Sequence, residues 1–141
     1  MKIVLDTNVL LVSISDRARE HWVFRSFLDE AYILCVTTDM LVEYEEIIAR
    51  HMGREAADAI LGILENAPNV EFITRYFKWN LIHNDPDDNK FVDCAIAANA
   101  NFIVSEDKHF KLLEQVQFPK VSVLNIASFK DELLWEKSVE L

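Results

Sequence analysis

The chain has 141 residues, of which 51% are hydrophobic, and its 24 acidic residues outnumber the 14 basic ones to give a net charge of −10. This length and apolar content exclude a disordered chain and fit a single domain over residues 1–141. The charge argues against a general basic surface for nucleic acid, and leaves a basic protein partner or a local acidic site for a cation. The two cysteines, Cys35 and Cys94, show no disulfide or zinc spacing, and no apolar run is long enough for a membrane span, so we expect a cytoplasmic protein.

Strand-like and helix-like segments alternate along the chain. In order, the pattern predicts strand 2–5, helix 19–30, strand 32–36, helices 39–51 and 54–65, strand 70–74, helix 89–100, strand 102–105, helix 108–116, strand 121–124 and a last helix from about 128 towards the C-terminus. Such alternation is typical of an α/β fold with a mainly parallel sheet covered on both faces. In these sheets the functional site lies beyond the carboxyl ends of the strands.

Acidic side chains gather where predicted strands end. Asp6 follows the first strand directly, inside the apolar run IVLDTNVLL, where an unpaired carboxylate is costly to bury. Glu43 lies about one turn into the helix after the second strand, Asp88 and Asp93 lie near the start of the helix at 89–100, and Asp107 comes two residues after FIVS. Because like charges repel, we expect a bound cation at this edge, and all-oxygen ligands favour Mg²⁺ or Mn²⁺ over zinc.

Each acid also has a purely structural interpretation. Asp6 and Asp88 could cap the helices that follow them, and Asp107 could be an ordinary surface acid. Glu43 and Glu45 flank the apolar face of their helix about equally, so periodicity does not choose between them. A divalent ion held by carboxylates at such an edge commonly acts on phosphodiesters.

Three segments resemble the PIN-domain ribonucleases found in many bacterial toxin–antitoxin systems. They are VLDTNVLL, LVEYEEI and DPDDNKFVDCAIAANANFIVSEDKHF. The resemblance implies a three-layer α/β/α fold with a central, mainly parallel five-stranded sheet, and hydrolysis of RNA by a metal-activated water. It also implies an antitoxin protein as partner and, by family habit, a homodimer.

The resemblance further assigns roles to single residues. It implies a metal site formed by four acids, Asp6, Glu43, Asp93 and Asp107. For the third position Asp93 is preferred because it precedes the alanine-rich stretch, and Asp88, which belongs to the DPDDNKF segment, is kept as an auxiliary catalytic acid.

Other residues are expected to support this site. Asn8 and Ser105 resemble residues that orient the acids or metal-bound waters. Lys90 and Lys108 are weaker candidates for contacts to RNA phosphates. The four histidines show no metal-ligand spacing, and His109 is not expected to be a catalytic base.

The main alternative is a PIN-like module that binds a basic protein partner without cleaving RNA. The net charge suits such a partner, whereas the presence of all the acids favours a nuclease. A phosphatase of the haloacid dehalogenase type is disfavoured, because Asn8 stands where that chemistry needs a second aspartate.

Overall fold

Five parallel strands form one sheet in the computed structural model, which describes residues 1–83 and 85–139. The strands, in chain order, are β1 (Lys2–Leu5), β2 (Ile33–Val36), β3 (Val70–Phe72), β4 (Phe102–Val104) and β5 (Val123–Leu124). They lie in the order β3-β2-β1-β4-β5, and every neighbouring pair is parallel. The predicted five-stranded, mainly parallel sheet is confirmed.

Helices connect these strands. They are α1 (Thr7–Ile14), α2 (His21–Leu28), α3 (Thr38–Met52), α4 (Arg54–Asn66), α5 (Asn89–Ala98) and α6 (Ile126–Val139), with 3₁₀ segments at Pro86–Asp88 and Lys108–Gln115. The sequence pattern indicated a helix after Asp6 only as one that this residue could cap and gave it no bounds, because the apolar run TNVLLVSI lacks a clear 3.6-residue period. The helix expected at 108–116 is a 3₁₀ helix, and residues 140 and 141, towards which the last helix was expected to run, lie outside the described residues.

The centre of the sheet is the core of the molecule. Side chains of β1, β2 and β4 are almost fully buried, as expected for parallel strands with helices on both faces. Two buried tyrosines satisfy their hydroxyls on backbone carbonyls: Tyr32 donates to Val23 at 2.8 Å and Tyr44 donates to Leu5 at 2.5 Å. Cys35 and Cys94 are buried free thiols, in agreement with their interpretation as small core residues. Within the described part of the chain, no helix is both long enough and apolar enough to span a bilayer.

The strand order places a topological switch point between β1 and β4. From β1 the chain moves outward to β2 and β3, and it then returns to the other side of β1 to form β4 and β5. The backbone N–H of Asp6 donates to Val104 at 3.0 Å, so the carboxyl ends of the two central strands are held side by side. Open α/β sheets bind ligands at this position, which is where Asp6 and the segment after β4 meet.

Candidate metal centre

Asp6 is a buried carboxylate at the end of β1, with 6% of its surface exposed. Ser105 Oγ donates to Asp6 Oδ2 at 2.7 Å, and the N–H of Asp107 donates to Ser105 Oγ at 2.9 Å. Burial is the main cause that raises the pKa of Asp6, and the negative charges of Asp107 and Glu43 act in the same direction. Ser105 therefore fixes the orientation of Asp6, and no basic side chain in the described part of the chain forms an ion pair with it.

Glu43 reaches the same region from α3. Thr7 Oγ1 donates to Glu43 Oε2, and Lys90 Nζ lies 2.8 Å from Glu43 Oε1. Lys90 Nζ also donates to the carbonyl of Asp87 at 2.9 Å, and only 13% of the Lys90 side chain is exposed. The cation predicted to contact phosphate is thus already engaged with a predicted metal ligand.

His109 lies among three carboxylates of the same region. Its Nδ1 is 3.3 Å from Asp88 Oδ2, 3.3 Å from Asp107 Oδ1 and 3.7 Å from Asp85 Oδ2. Ligands bound to one Mg²⁺ at about 2.1 Å lie about 3 Å apart when they are neighbours. One potential ligand atom from each of Asp85, Asp88 and His109 lies within 4.8 Å of the others, which is compatible with a shared ion.

Local capping explains how these side chains are positioned. Asp85 Oδ1 accepts from the N–H of Asp87 at 3.2 Å at the start of the 3₁₀ turn, where Pro86 occupies the first position. Asp107 Oδ1 accepts from the N–H of His109 at 2.9 Å at the start of the following 3₁₀ helix. In both residues Oδ1 accepts the capping hydrogen bond, and Oδ2 is left for other contacts.

Asp88 belongs to the acidic group around Asp6. Burial raises the pKa of Asp88 to about 6, with further upward contributions from the charges of Asp85, Asp107 and Asp6, while a hydrogen bond from His109 lowers it. Its neighbours therefore include acids that follow both central strands. We refer to Asp6, Asp85, Asp88 and Asp107, with His109, as the acidic cluster.

Asp93 lies in different surroundings. Its Oδ1 accepts from the N–H of Trp79 at 3.1 Å, and Arg75 lies 3.3 Å from its Oδ2 in a charge contact without hydrogen-bond geometry. Burial raises the pKa of Asp93, and the charges that act on it are those of Arg75, Asp39 and Lys78. These contacts do not support the predicted sharing of an ion by Asp93, Asp6 and Asp107.

The geometry of a helix explains this difference between Asp88 and Asp93. The two residues are five positions apart, which corresponds to about 140° around a helix axis. When Asp88 faces the acidic cluster, Asp93 faces the segment after β3. Which of the two carboxylates binds a metal stays a prediction, and the structure favours Asp88.

The family of the chain follows from comparison with known proteins. The model of the PIN domain family matches residues 2–109, which is more than half of the chain. The chain belongs to the PIN-domain family. Comparison of this PIN domain with curated protein sequences gives no significant match.

Solved structures share the fold of this PIN domain. VapBC2 from Rickettsia felis, bound to a promoter DNA fragment, superposes with a TM-score of 0.59 at 19% identity, covering 89% of this chain and 98% of that one. VapC20 from Mycobacterium tuberculosis, described as a Sarcin-Ricin loop cleaving toxin, gives 0.58 at 16% identity, covering 77% and 92%. FitAcB from Neisseria gonorrhoeae gives 0.55 at 16% identity, covering 89% and 98%. At these identities the likeness establishes the fold.

The acidic cluster of this PIN domain fits a divalent cation chemically. Asp85, Asp88 and His109 each offer one ligand atom within 4.8 Å of the others, and His109 and Ser105 link this group to Asp107 and Asp6. Oxygen ligands of this kind suit Mg²⁺ or Mn²⁺, and an imidazole nitrogen is also acceptable to Mn²⁺.

Two residues of the acidic cluster were missed as ligand candidates in the sequence. Asp85 is the first acid of DPDDNKF, and His109 follows Asp107 by two positions. Both depend on the cap geometry of short 3₁₀ segments, for which the sequence offers only the Asp-Pro pair and the Asp-x-His spacing as signals.

Two predicted supporting residues lie nearby: Asn8 lines a cavity of about 310 Å³ with Asp6 and Asp107, and exposed Lys108 lines a neighbouring cavity of about 360 Å³.

Metal-free protein is expected to lose stability as pH rises through about 6. The folded-state pKa of Asp88 is about 6 against an ordinary 3.8, so its protonated form stabilises the fold at low pH and this stabilisation disappears above the folded-state value. The raised pKa of Asp6 acts in the same direction. For Asp88 the loss is about 2 to 3 kcal/mol at most.

Thermal unfolding in EDTA at pH 4.5 and pH 7.5 measures this effect. Comparison with Asp88→Asn isolates it from the other carboxylates, because the variant should show a smaller decrease across the same interval. An equal pH dependence in both proteins would contradict the assignment of a raised pKa to Asp88.

Proposed function

We propose that this PIN domain is a metal-dependent endoribonuclease that hydrolyses RNA phosphodiesters with an activated water, and that it is the toxin of a toxin–antitoxin system. The observation that carries the proposal is a chain of contacts that links three segments at the switch point of the sheet: Ser105 joins Asp6 to the backbone of Asp107, and His109 Nδ1 lies 3.3 Å from both Asp107 and Asp88. Membership of the PIN-domain family supports it, as does the likeness in fold to VapC20, a Sarcin-Ricin loop cleaving toxin.

The proposed ligands of Mg²⁺ or Mn²⁺ are Asp6, Asp88 and Asp107, with Glu43 at the border of the site. Asp85 and His109 each offer a further ligand atom within 4.8 Å of one on Asp88. Such an ion supplies Lewis acidity and lowers the pKa of a bound water to make a nucleophile at neutral pH. Ser105 orients Asp6 through the 2.7 Å hydrogen bond, and so prevents the carboxylate from rotating away from the cluster.

Other side chains of the chain manage charge around this site. Lys90 compensates the charge of Glu43 and ties α3 to the 3₁₀ turn at Pro86–Asp88. His109 places its Nδ1 among three carboxylates, where a ring N–H can donate to one of them. Asn8 and Lys108 border the adjoining cavities, where they are available to contact an RNA strand.

We infer an antitoxin protein as the physiological partner. The VapBC structures from Rickettsia felis and Salmonella typhimurium are DNA-bound toxin–antitoxin pairs, and FitAcB is likewise a two-component assembly in name. The net charge of −10 suits a basic segment on that partner. Homodimer formation and a cytoplasmic location stay predictions.

Purified protein is expected to cleave single-stranded RNA in the presence of Mn²⁺ or Mg²⁺. EDTA should reduce the rate by more than about 100-fold, because the carboxylates alone cannot activate water at neutral pH, and addition of Mn²⁺ should restore it. Gel analysis of labelled RNA after a timed incubation measures both effects. Intact RNA with every divalent ion tested would contradict the nuclease and favour the module that only binds a partner.

A further inference from the structure

Three aromatic rings are exposed on the segment that follows β3. The exposed fractions are 84% for Tyr76, 73% for Phe77 and 39% for Trp79, so these rings contribute little to the core. Arg75 and Lys78 alternate with them in the sequence RYFKW. We call residues 75–79 the aromatic platform.

The platform is attached to the body of the domain. The N–H of Trp79 donates to Asp93 at 3.1 Å, and Arg75 lies 3.3 Å from both Asp93 and Asp39. Further along, Asn89 exchanges two hydrogen bonds of 2.9 Å with the backbone of Ile82. Asp93 therefore anchors the platform, and this contact explains a buried acid that lies outside the acidic cluster.

The platform differs in charge from the rest of the chain. Residues 73–83 contain Arg75 and Lys78 and no acidic residue, although the chain as a whole carries −10. Lys78 is exposed, and no carboxylate of the described residues lies within ion-pair distance of it. Arg75 is paired with Asp39 and Asp93, so Lys78 is the cation that this aromatic surface leaves for a ligand.

The platform also leads to the acidic cluster. It begins three residues after β3 ends, and the same segment continues towards Asp85. Between the rings and α5 lies an open cavity of about 320 Å³, lined by Tyr76, Phe77, Trp79, Ile96 and Ala97, with Asp93 also at its wall. A strand bound here would lie on the path from the outer edge of the sheet to the site.

We propose that the aromatic platform binds single-stranded RNA and directs it towards the acidic cluster, an inference that rests on the proposed ribonuclease function. Unpaired bases stack on Tyr76 and Phe77, since every base has a π-face, and Lys78 contacts the phosphate between them. Exposed rings beside the unpaired charge of Lys78 suit an anionic strand, whereas a basic protein segment would be repelled by Lys78.

Fluorescence anisotropy with a labelled, unstructured RNA of about 12 nucleotides tests the platform. Binding is measured in the Asp6→Asn protein with Mg²⁺, so that cleavage does not interfere. Addition of Tyr76→Ala and Phe77→Ala should weaken RNA binding at least about tenfold, because stacking of each base is lost. Tyr76→Trp with Phe77→Trp should keep the affinity, and Trp135→Ala, which removes a 66% exposed ring from α6, is the matched control.

Two outcomes would overturn the platform: unchanged RNA affinity in the alanine double variant, or an equal loss in the Trp135→Ala control. If the affinity is unchanged and the oligomeric mass is altered, the rings belong to a protein contact instead. Failure of the parent protein to cleave RNA would instead contradict the proposed function. The two failures are distinguishable because the binding measurement does not depend on cleavage.

Discussion

Asp6→Asn is expected to reduce RNA cleavage by more than about 100-fold while leaving the fold intact. Even the loss of a side chain that only supports a metal ligand typically lowers metal affinity or activity 10- to 100-fold, and Asp6 itself is a proposed ligand. Asparagine keeps the volume of aspartate and an oxygen that accepts from Ser105 Oγ, so the change removes the charge and little else. Initial rates with labelled RNA and saturating Mn²⁺ measure the effect.

The same variant should be at least as stable as the parent in the absence of metal. Burial raises the pKa of Asp6, which means that its charged form is disfavoured in the folded protein, and asparagine carries no charge there. Thermal unfolding in EDTA measures this difference. Asp131→Asn, at an exposed position of α6, is the control that should change neither rate nor stability. Equal cleavage by the Asp6→Asn protein and the parent would point to another site or a contaminating nuclease.

Asp88→Asn is expected to weaken Mn²⁺ binding by at least about tenfold, and Asp93→Asn by less than about twofold. The first change removes a carboxylate from the acidic cluster. Loss of a residue that only hydrogen-bonds to a metal ligand already lowers metal affinity about tenfold or more. The second removes a carboxylate that contacts Arg75 and the N–H of Trp79. Isothermal titration with Mn²⁺ measures both affinities.

The two variants form a matched pair, because they make the same chemical change five positions apart in one segment of the chain. Circular dichroism confirms that both are folded before titration. The reverse ranking of affinities would return the third ligand position to Asp93 and contradict the site described above.

Hydrophobic patterning predicted the sheet because parallel strands are buried on both faces. KIVL, YILCV and FIVS are continuous apolar runs, and each contains a strand of the sheet. The bounds of α1 were missed for a different reason: polar Thr7 and Ser13 are buried in this helix, while apolar Val12 is 42% exposed. Composition therefore located the core, whereas periodicity failed where the buried and exposed faces of a helix do not differ in polarity.

The sequence predicted which acids follow the strands, but not where their side chains point. Sequence spacing places Asp88 and Asp93 close together along the chain, while their side chains point to different parts of the molecule. The direction depends on the 3₁₀ turn at Pro86–Asp88, which sets where α5 begins. A match in residue types alone does not predict which of the two side chains faces the acidic cluster.

The role of Asp93 depends on two contacts, with Arg75 and with Trp79, that lie outside the segments with predicted ligands. Arg75 and Trp79 belong to a segment without regular structure, and no pattern in the sequence links them to α5. The same holds for His109, whose place among Asp85, Asp88 and Asp107 follows from two caps rather than from a known spacing. Such contacts between loops become visible only in three dimensions.

Anomalous diffraction from crystals soaked in Mn²⁺ is the most direct measurement of the metal site. One strong peak is expected within about 2.3 Å of carboxylate oxygens from Asp6, Asp88 and Asp107, with the side chain of Asp93 still on Arg75. A peak bound by Asp93, or no peak among the three acids at a concentration of Mn²⁺ that supports cleavage, would contradict the account.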